Sequence, residues 1–259
     1  MIRTALITTL FSFLLLYGSP ALAHFGMVIP DTPQLNQEKP STRVRLSFSH
    51  PFTGQGMDMA RPAAIFALKE NTRQDLGASL EPTTIMGQQG WQFTFQPQRP
   101  GVHWLVMEPQ PYWEPAEDLL ILHTTKTAVS AYGGDEGWAV PLGLKTEIVP
   151  LVRPFALYAG NSFRGQVLLD GRPVPASTVE VEYYNQDGRQ AASEAHISQT
   201  IITDAQGLFS FTCPWPGWWG FAALNTGNFT LPDPSGNPKE VELGAVLWIY
   251  LDPLPQPQP

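Results

Sequence analysis

Five histidines and six methionines are the side chains of this chain best suited to hold a metal ion. His24 is the most informative of them. It follows Ala21-Leu22-Ala23, a small-x-small sequence closing an apolar run from Ala5 to Leu16 that the single charge of Arg3 precedes. Those three parts make residues 1–23 a cleavable secretory signal, too short to span a bilayer comfortably. Cleavage after Ala23 gives His24 a free α-amine with an ordinary pKa of about 7.7–8.0, so a metal displaces its proton near neutrality. One residue then supplies two nitrogen donors, a chelate suited to ions that accept square-planar or tetragonal nitrogen coordination. An accidental histidine at a cleavage site is the competing explanation.

His50 opens His50-Pro51-Phe52-Thr53-Gly54-Gln55-Gly56-Met57-Asp58-Met59, a strand end running into a glycine-bearing loop with two thioethers and a carboxylate. Soft and borderline donors can converge there, or His50 and the methionines simply cap a core. His123 shares a strand face with Ile121, which fits either a ligand or a hydrogen-bonded core histidine. His103 lies out of phase with Val102 and Trp104 and points to solvent or to a second layer, and His196 sits in a polar surface loop. Cys213 is the only cysteine, so neither an internal disulfide nor a Cys-based zinc site is available. Acids and aromatics gather at Tyr112-Trp113-Glu114-Pro115-Ala116-Glu117-Asp118 and at Asp135-Glu136-Gly137-Trp138. Paired carboxylates with tryptophans suggest a sugar cleft, but closely spaced acids are more often a solvated turn, with Trp113 and Trp138 packed over sheet edges. No phosphate loop, dinucleotide fingerprint, Gly-x-Ser-x-Gly elbow or His-Glu-x-x-His helix is present.

The elements that must position these residues are strands. Twenty-six prolines and 22 glycines among 259 residues interrupt the chain too often for long helices, and the 43% hydrophobic content supplies a core. Fifteen Lys+Arg against 23 Asp+Glu, a net charge of -8, argue against a nucleic-acid binder. Val44, Leu46 and Phe48 alternate with Arg43, Arg45 and Ser47, the period of a half-buried strand, and put His50 on the apolar phase. Ala64 to Leu68 is a second strand. Gly90 to Gln96 and Val102 to Glu108, joined by Pro97-Gln98-Arg99-Pro100-Gly101, read as a hairpin. Leu119 to Val129 follows. A Gly- and Pro-rich stretch ending in Glu147-Ile148-Val149-Pro150 reads as a linker or edge strand, so the domain boundary falls near Glu147. Phe163–Leu169, Val179–Tyr184, Ile201–Ile202, Leu208–Cys213, Trp218–Leu224 and Val241–Leu251 then form a second β-sandwich, before a proline-alternating tail.

Several segments together resemble a known family. They are Ala23-His24-Phe25-Gly26-Met27-Val28-Ile29-Pro30, His50-Pro51 with Met57-Asp58-Met59, Tyr112 to Asp118, His123, Gly137-Trp138 with Pro150-Leu151, and, further on, Gly165 to Gly171, Val179 to Asn185 and Gly217-Trp218-Trp219-Gly220-Phe221-Ala222-Ala223-Leu224. The chain is similar over nearly its whole mature length to exported bacterial proteins described as the periplasmic component of cobalt/nickel transport systems of the energy-coupling-factor type, otherwise a domain of unknown function. The resemblance implies that His24, His50 and His123 match the family's recurring histidines, that the ion is passed to a membrane permease, and that the C-terminal domain is immunoglobulin-like or transthyretin-like. His103 is particular to this chain.

The expectation is therefore an all-β, non-enzymatic protein. A signal peptide occupies residues 1–23, a metal-binding β-sandwich residues 24–146, an Ig-like β-sandwich residues 147–252, and a Pro-rich tail residues 253–259. It would bind Ni²⁺ or Co²⁺ in the periplasm through His24, His50 and His123, with Met59 or a nearby carboxylate as an optional extra donor and a metal permease as partner. A copper-binding histidine brace on the same ligands, serving copper storage or polysaccharide oxidation, is the alternative, and a metal-free carbohydrate- or protein-binding surface module is the third reading.

Overall fold

The computed structural model describes residues 24–256; the signal peptide expected over residues 1–23 and the last three residues of the tail lie outside them. The protein is all-β, and the described residues hold no α-helix, only the 3-10 turns Gly77–Ser79 and Glu194–His196. Its centre is an 11-stranded sheet, over which a five-stranded and a four-stranded sheet pack.

The five-stranded sheet is built on Phe25–Pro30, Thr42–His50 and Gln88–Phe95. Val44, Leu46 and Phe48 point from it into one core with Phe93 and Phe95, as their alternation requires, and meet Ile65, Leu105, Met107 and Ile121 of the large sheet. Phe25–Pro30 is buried along its whole length because both its faces are covered. Val28 enters that first core, while Phe25, Met27 and Ile29 pack on Trp218, Ala222, Val246 and Trp248. Truncating a buried Phe or Trp of this kind to Ala costs about 3–5 kcal/mol. Glycine is required at position 26, where a Cβ would collide with Thr125 Oγ1, and the Gly26 carbonyl accepts the Trp248 indole N–H at 2.8 Å.

The boundary expected near Glu147 does not interrupt the hydrogen bonding. Leu119–Ala131, from before it, pairs in parallel with Val241–Asp252, from after it, and both belong to the large sheet. Thr146–Pro150 is an edge strand, as its prolines suggest, pairing on one side with Ser162–Leu169 of the four-stranded sheet, yet every residue in it is buried.

The expected hairpin between Gly90–Gln96 and Val102–Glu108 is corrected. Gln88–Phe95 belongs to the five-stranded sheet, and Gly101–Glu108 pairs with Ala64–Lys69 and Leu119–Ala131 in the large one. Phe93 and Phe95 face Leu105 and Met107 across the core, so the chain arches from one layer to the other. Pro97 and Pro100 suit the arch, since neither can donate to a ladder between the two strands.

Candidate metal centre

Three strands bring three of the five histidines to one place. The antiparallel register that pairs Phe25 with Ser49 carries His24 one step further, opposite His50, and the two imidazole centroids are 4.7 Å apart. His123 approaches from the large sheet, and Phe48 lies between the two layers: its ring stacks on His24 at 5.6 Å and presents its edge to His123 at 5.9 Å. Tyr112 completes the aromatic wall, 4.9 Å from Phe48 and 6.2 Å from His24. It is placed by a short strand, Tyr112–Glu114, folded back on Leu119–Ile121.

Two carboxylates fix two of the rings. Glu114 accepts the Ala116 N–H on Oε1 and stands 3.1 Å from His24 Nε2 through Oε2. Burial, reinforced by neighbouring His50, presses the His24 imidazole down to about 4. At neutral pH it is therefore uncharged, and the contact with Glu114 is an N–H donated to a carboxylate rather than an ion pair. Glu242 Oε1 lies 2.9 Å from His123 Nε2. A carboxylate only accepts, so this nitrogen carries a proton, and a ring with one proton keeps its lone pair on Nδ1. Nδ1 is buried and has no hydrogen-bond partner. Gly244, opposite His123 across the parallel pair, leaves room for the ring; a Cβ there would collide with it.

The arrangement matches a metal-ligating histidine held through its second nitrogen by an outer carboxylate. The orphaned Nδ1 of His123 is what an ion would satisfy, and with His24 held through Nε2 its Nδ1 is the nitrogen left over. No group of three or more His, Cys, Asp or Glu side chains among the described residues already stands arranged to hold an ion. Two more acids feel the charge of Glu242. Burial raises the Glu117 carboxyl above its ordinary range, helped by Glu242 and Glu114, and burial with Glu242 and Glu182 raises Glu180 to about 7.

Of the other residues weighed in the sequence, Met59 stays beside this cluster and the rest lie apart from it. Met59 is buried and lines a cavity of about 80 Å³ together with His123. The Asp58 carboxylate takes the Gln89 N–H instead. His103 is buried elsewhere, its Nε2 3.0 Å from the Arg99 carbonyl, and exposed His196 bonds Ser193. Cys213 is buried as a free thiol, and burial pushes its pKa far up. Trp138 packs against the main core and Trp113 against a smaller one, with Lys239 over its ring, while Asp135 pairs with Arg153. Glu242 and Gly244 carried no sequence signal, because each sits among apolar alternation as a residue of the opposite strand face.

An all-β protein with a histidine–carboxylate cluster where the described chain begins is the class these observations define. The chain belongs to the DUF4198 family, a domain of unknown function, whose model matches residues 21–227. A search of curated proteins returns no match. Among solved structures, the fibronectin(III)-like modules of Clostridium thermocellum CbhA are 8% identical, with 90% of this chain and 99% of that one covered at a TM-score of 0.22. A titin tandem of Ig domains is 10% identical over 85% and 98%, at 0.20. A domain of intimin is 9% identical over 89% and 100%, also at 0.20.

Proposed function

We propose that this protein is a periplasmic carrier of a divalent transition-metal ion, Ni²⁺ or Co²⁺, which it hands to a membrane permease of the energy-coupling-factor type. The single observation carrying the reading is the buried, unpartnered Nδ1 of His123, on a ring whose other nitrogen is held by Glu242 beside His24 and His50. The ligands would be the His24 amine and imidazole, His50 and His123, with cleavage after Ala23 supplying the amine. Neutral imidazoles are the ligating form, and burial of His24 favours that form. An ion held by side chains from three strands with a position left for water exchanges more readily than one in a closed four-ligand site, as delivery requires. A carrier needs no reaction chemistry, and we place no catalytic residue in this chain. The partly buried Trp113 and Trp138 weigh against a sugar-binding platform and so against the copper oxidase reading.

The test is to express the chain with its own signal, confirm His24 as the first residue by intact mass, and titrate Ni²⁺, Co²⁺, Cu²⁺ and Zn²⁺ by calorimetry. One-to-one nickel or cobalt binding, lost in His24→Ala and His123→Ala and crippled by extra residues before His24, is the expected result. Absence of binding by every ion would sink the reading. Unchanged affinity in the extended protein would remove the amine from the ligand set.

A further inference from the structure

The cavity beside His123 is walled by Gly26, Phe48, Met59, Met107 and Tyr112, among others. Three potential donors meet it from separate segments, and all are withdrawn from solvent: His123, Met59 and Met107 are 2%, 7% and 1% exposed. Met59 is held in place by its backbone, whose N–H donates to the Gln89 carbonyl at 3.0 Å and whose carbonyl accepts the Trp91 indole N–H at 3.1 Å. Met107 belongs to Gly101–Glu108, an interior strand of the large sheet. His123 has only Nδ1 to offer, since Glu242 holds Nε2.

From this donor set we infer a second metal site, a soft monovalent one of the Cu(I) class, formed by His123 Nδ1 and the thioethers of Met59 and Met107. Thioether and imidazole together favour Cu(I) over the harder divalent ions. Charge points the same way. The imidazole and the two thioethers are neutral donors, and the one carboxylate of the wall, Asp58, turns its Oδ1 to the Gln89 N–H. The Born cost of a buried ion rises with the square of its charge, which weighs far more on a divalent than on a monovalent cation. The rings of Phe48 and Tyr112 complete the apolar wall. A core methionine is ordinarily a gap filler; here two of them line a cavity together with a buried imidazole whose Nδ1 has no partner. The site takes the same His123 Nδ1 lone pair as the divalent reading, so the two ions exclude each other there, and it needs neither the free amine, His24 nor His50.

The test is competition for Cu(I) against a chromophoric chelator under anaerobic, reducing conditions, using the mature protein. Met59→Leu and Met107→Leu conserve volume, and each is expected to weaken Cu(I) binding at least tenfold, while His24→Ala and an N-terminally extended protein retain it. X-ray absorption on the Cu(I)-loaded wild type is expected to show sulfur scatterers, which needs no variant to fold. No competition by the wild type, a copper shell without sulfur, or loss of Cu(I) binding in His24→Ala would each overturn the site. Nickel is titrated separately, and the two readings are told apart by the donors they do not share: His24 and the amine for the divalent ion, Met59 and Met107 for Cu(I).

Discussion

At the scale of single residues, the orientation of His123 is set by groups that do not themselves bind a metal. Glu242 holds Nε2, Gly244 leaves the floor under the ring, and the Phe48 edge bears on it. Gly to Ala inside a strand ordinarily stabilises by about 0.5–1 kcal/mol. At position 244 the new methyl would instead push the imidazole aside, so Gly244→Ala is expected to weaken divalent-ion affinity at least tenfold. Glu242→Gln keeps an acceptor but removes the charge that makes His123 a better donor, and losses of about 10–100-fold follow changes of this kind. Calorimetric titration of both variants checks the pair; unchanged affinity in both would mean that His123 is not a ligand. The histidines were legible in the sequence because their side-chain type alone suggests the chemistry. Glu242 was not, since it reaches His123 across 119 residues through a parallel pairing that no local pattern announces.

At the scale of elements, alternation identified the strands but not what covers their second face. Val179, Val181 and Tyr183 face the core as expected, which marks Glu180 and Glu182 as outward. The large sheet is covered on that side too. Glu182 is fully buried, takes the Phe52 N–H at 3.1 Å and the Ser198 hydroxyl, and so ties the turn after His50 to the C-terminal half. Burial raises the Glu182 carboxyl to about 7 against the opposing pull of those two donors, and Glu180 is raised to the same value. The folded state therefore holds protons that the unfolded chain releases near 4.5. Stability from these two groups is fully present below that value and is lost as pH rises through about 7. Each pKa unit is worth about 1.4 kcal/mol, so the pair accounts for a loss on the order of a few kcal/mol. Urea midpoints between about pH 5 and pH 7.5 are expected to fall in the wild type and to flatten in Glu180→Gln and Glu182→Gln. Identical slopes in all three proteins would show that neither carboxyl is displaced. The misread hairpin has the same origin: a turn sequence shows where the chain reverses, while the sheet each arm joins is decided by partners remote in sequence.

At the scale of the whole molecule, the large sheet and one buried ion pair join the parts that composition separates. Lys126, from the strand before the expected boundary, places its ammonium 2.8 Å from Glu147 in the strand at it, 4.8 Å from the Trp104 ring centroid. Lys126 and Glu147 are 1% and 2% exposed. Burial lowers the Lys126 pKa and Glu147 opposes the shift. Glu147 also accepts the N–H groups of Leu142 and Gly143, fixing the connection between the halves. Removing one partner of such a pair leaves a buried charge and costs about 3–5 kcal/mol, whereas replacing both is far milder. Here the two halves of the pair are unequal. Lys126→Met leaves Glu147 with two N–H donors, while Glu147→Gln leaves Lys126 with an amide oxygen and the Trp104 face, and its lowered pKa lets it shed the proton. The double variant Lys126→Met with Glu147→Gln restores neutrality and keeps an acceptor for Leu142 and Gly143. It is expected to lie at least 2 kcal/mol above the sum of the single losses, about the coupling seen between contacting residues. With one continuous sheet, each of these proteins is expected to unfold in a single calorimetric transition. Additive losses, or two separate transitions with only one sensitive to position 126, would mean that the halves fold independently and that the pair does not join them.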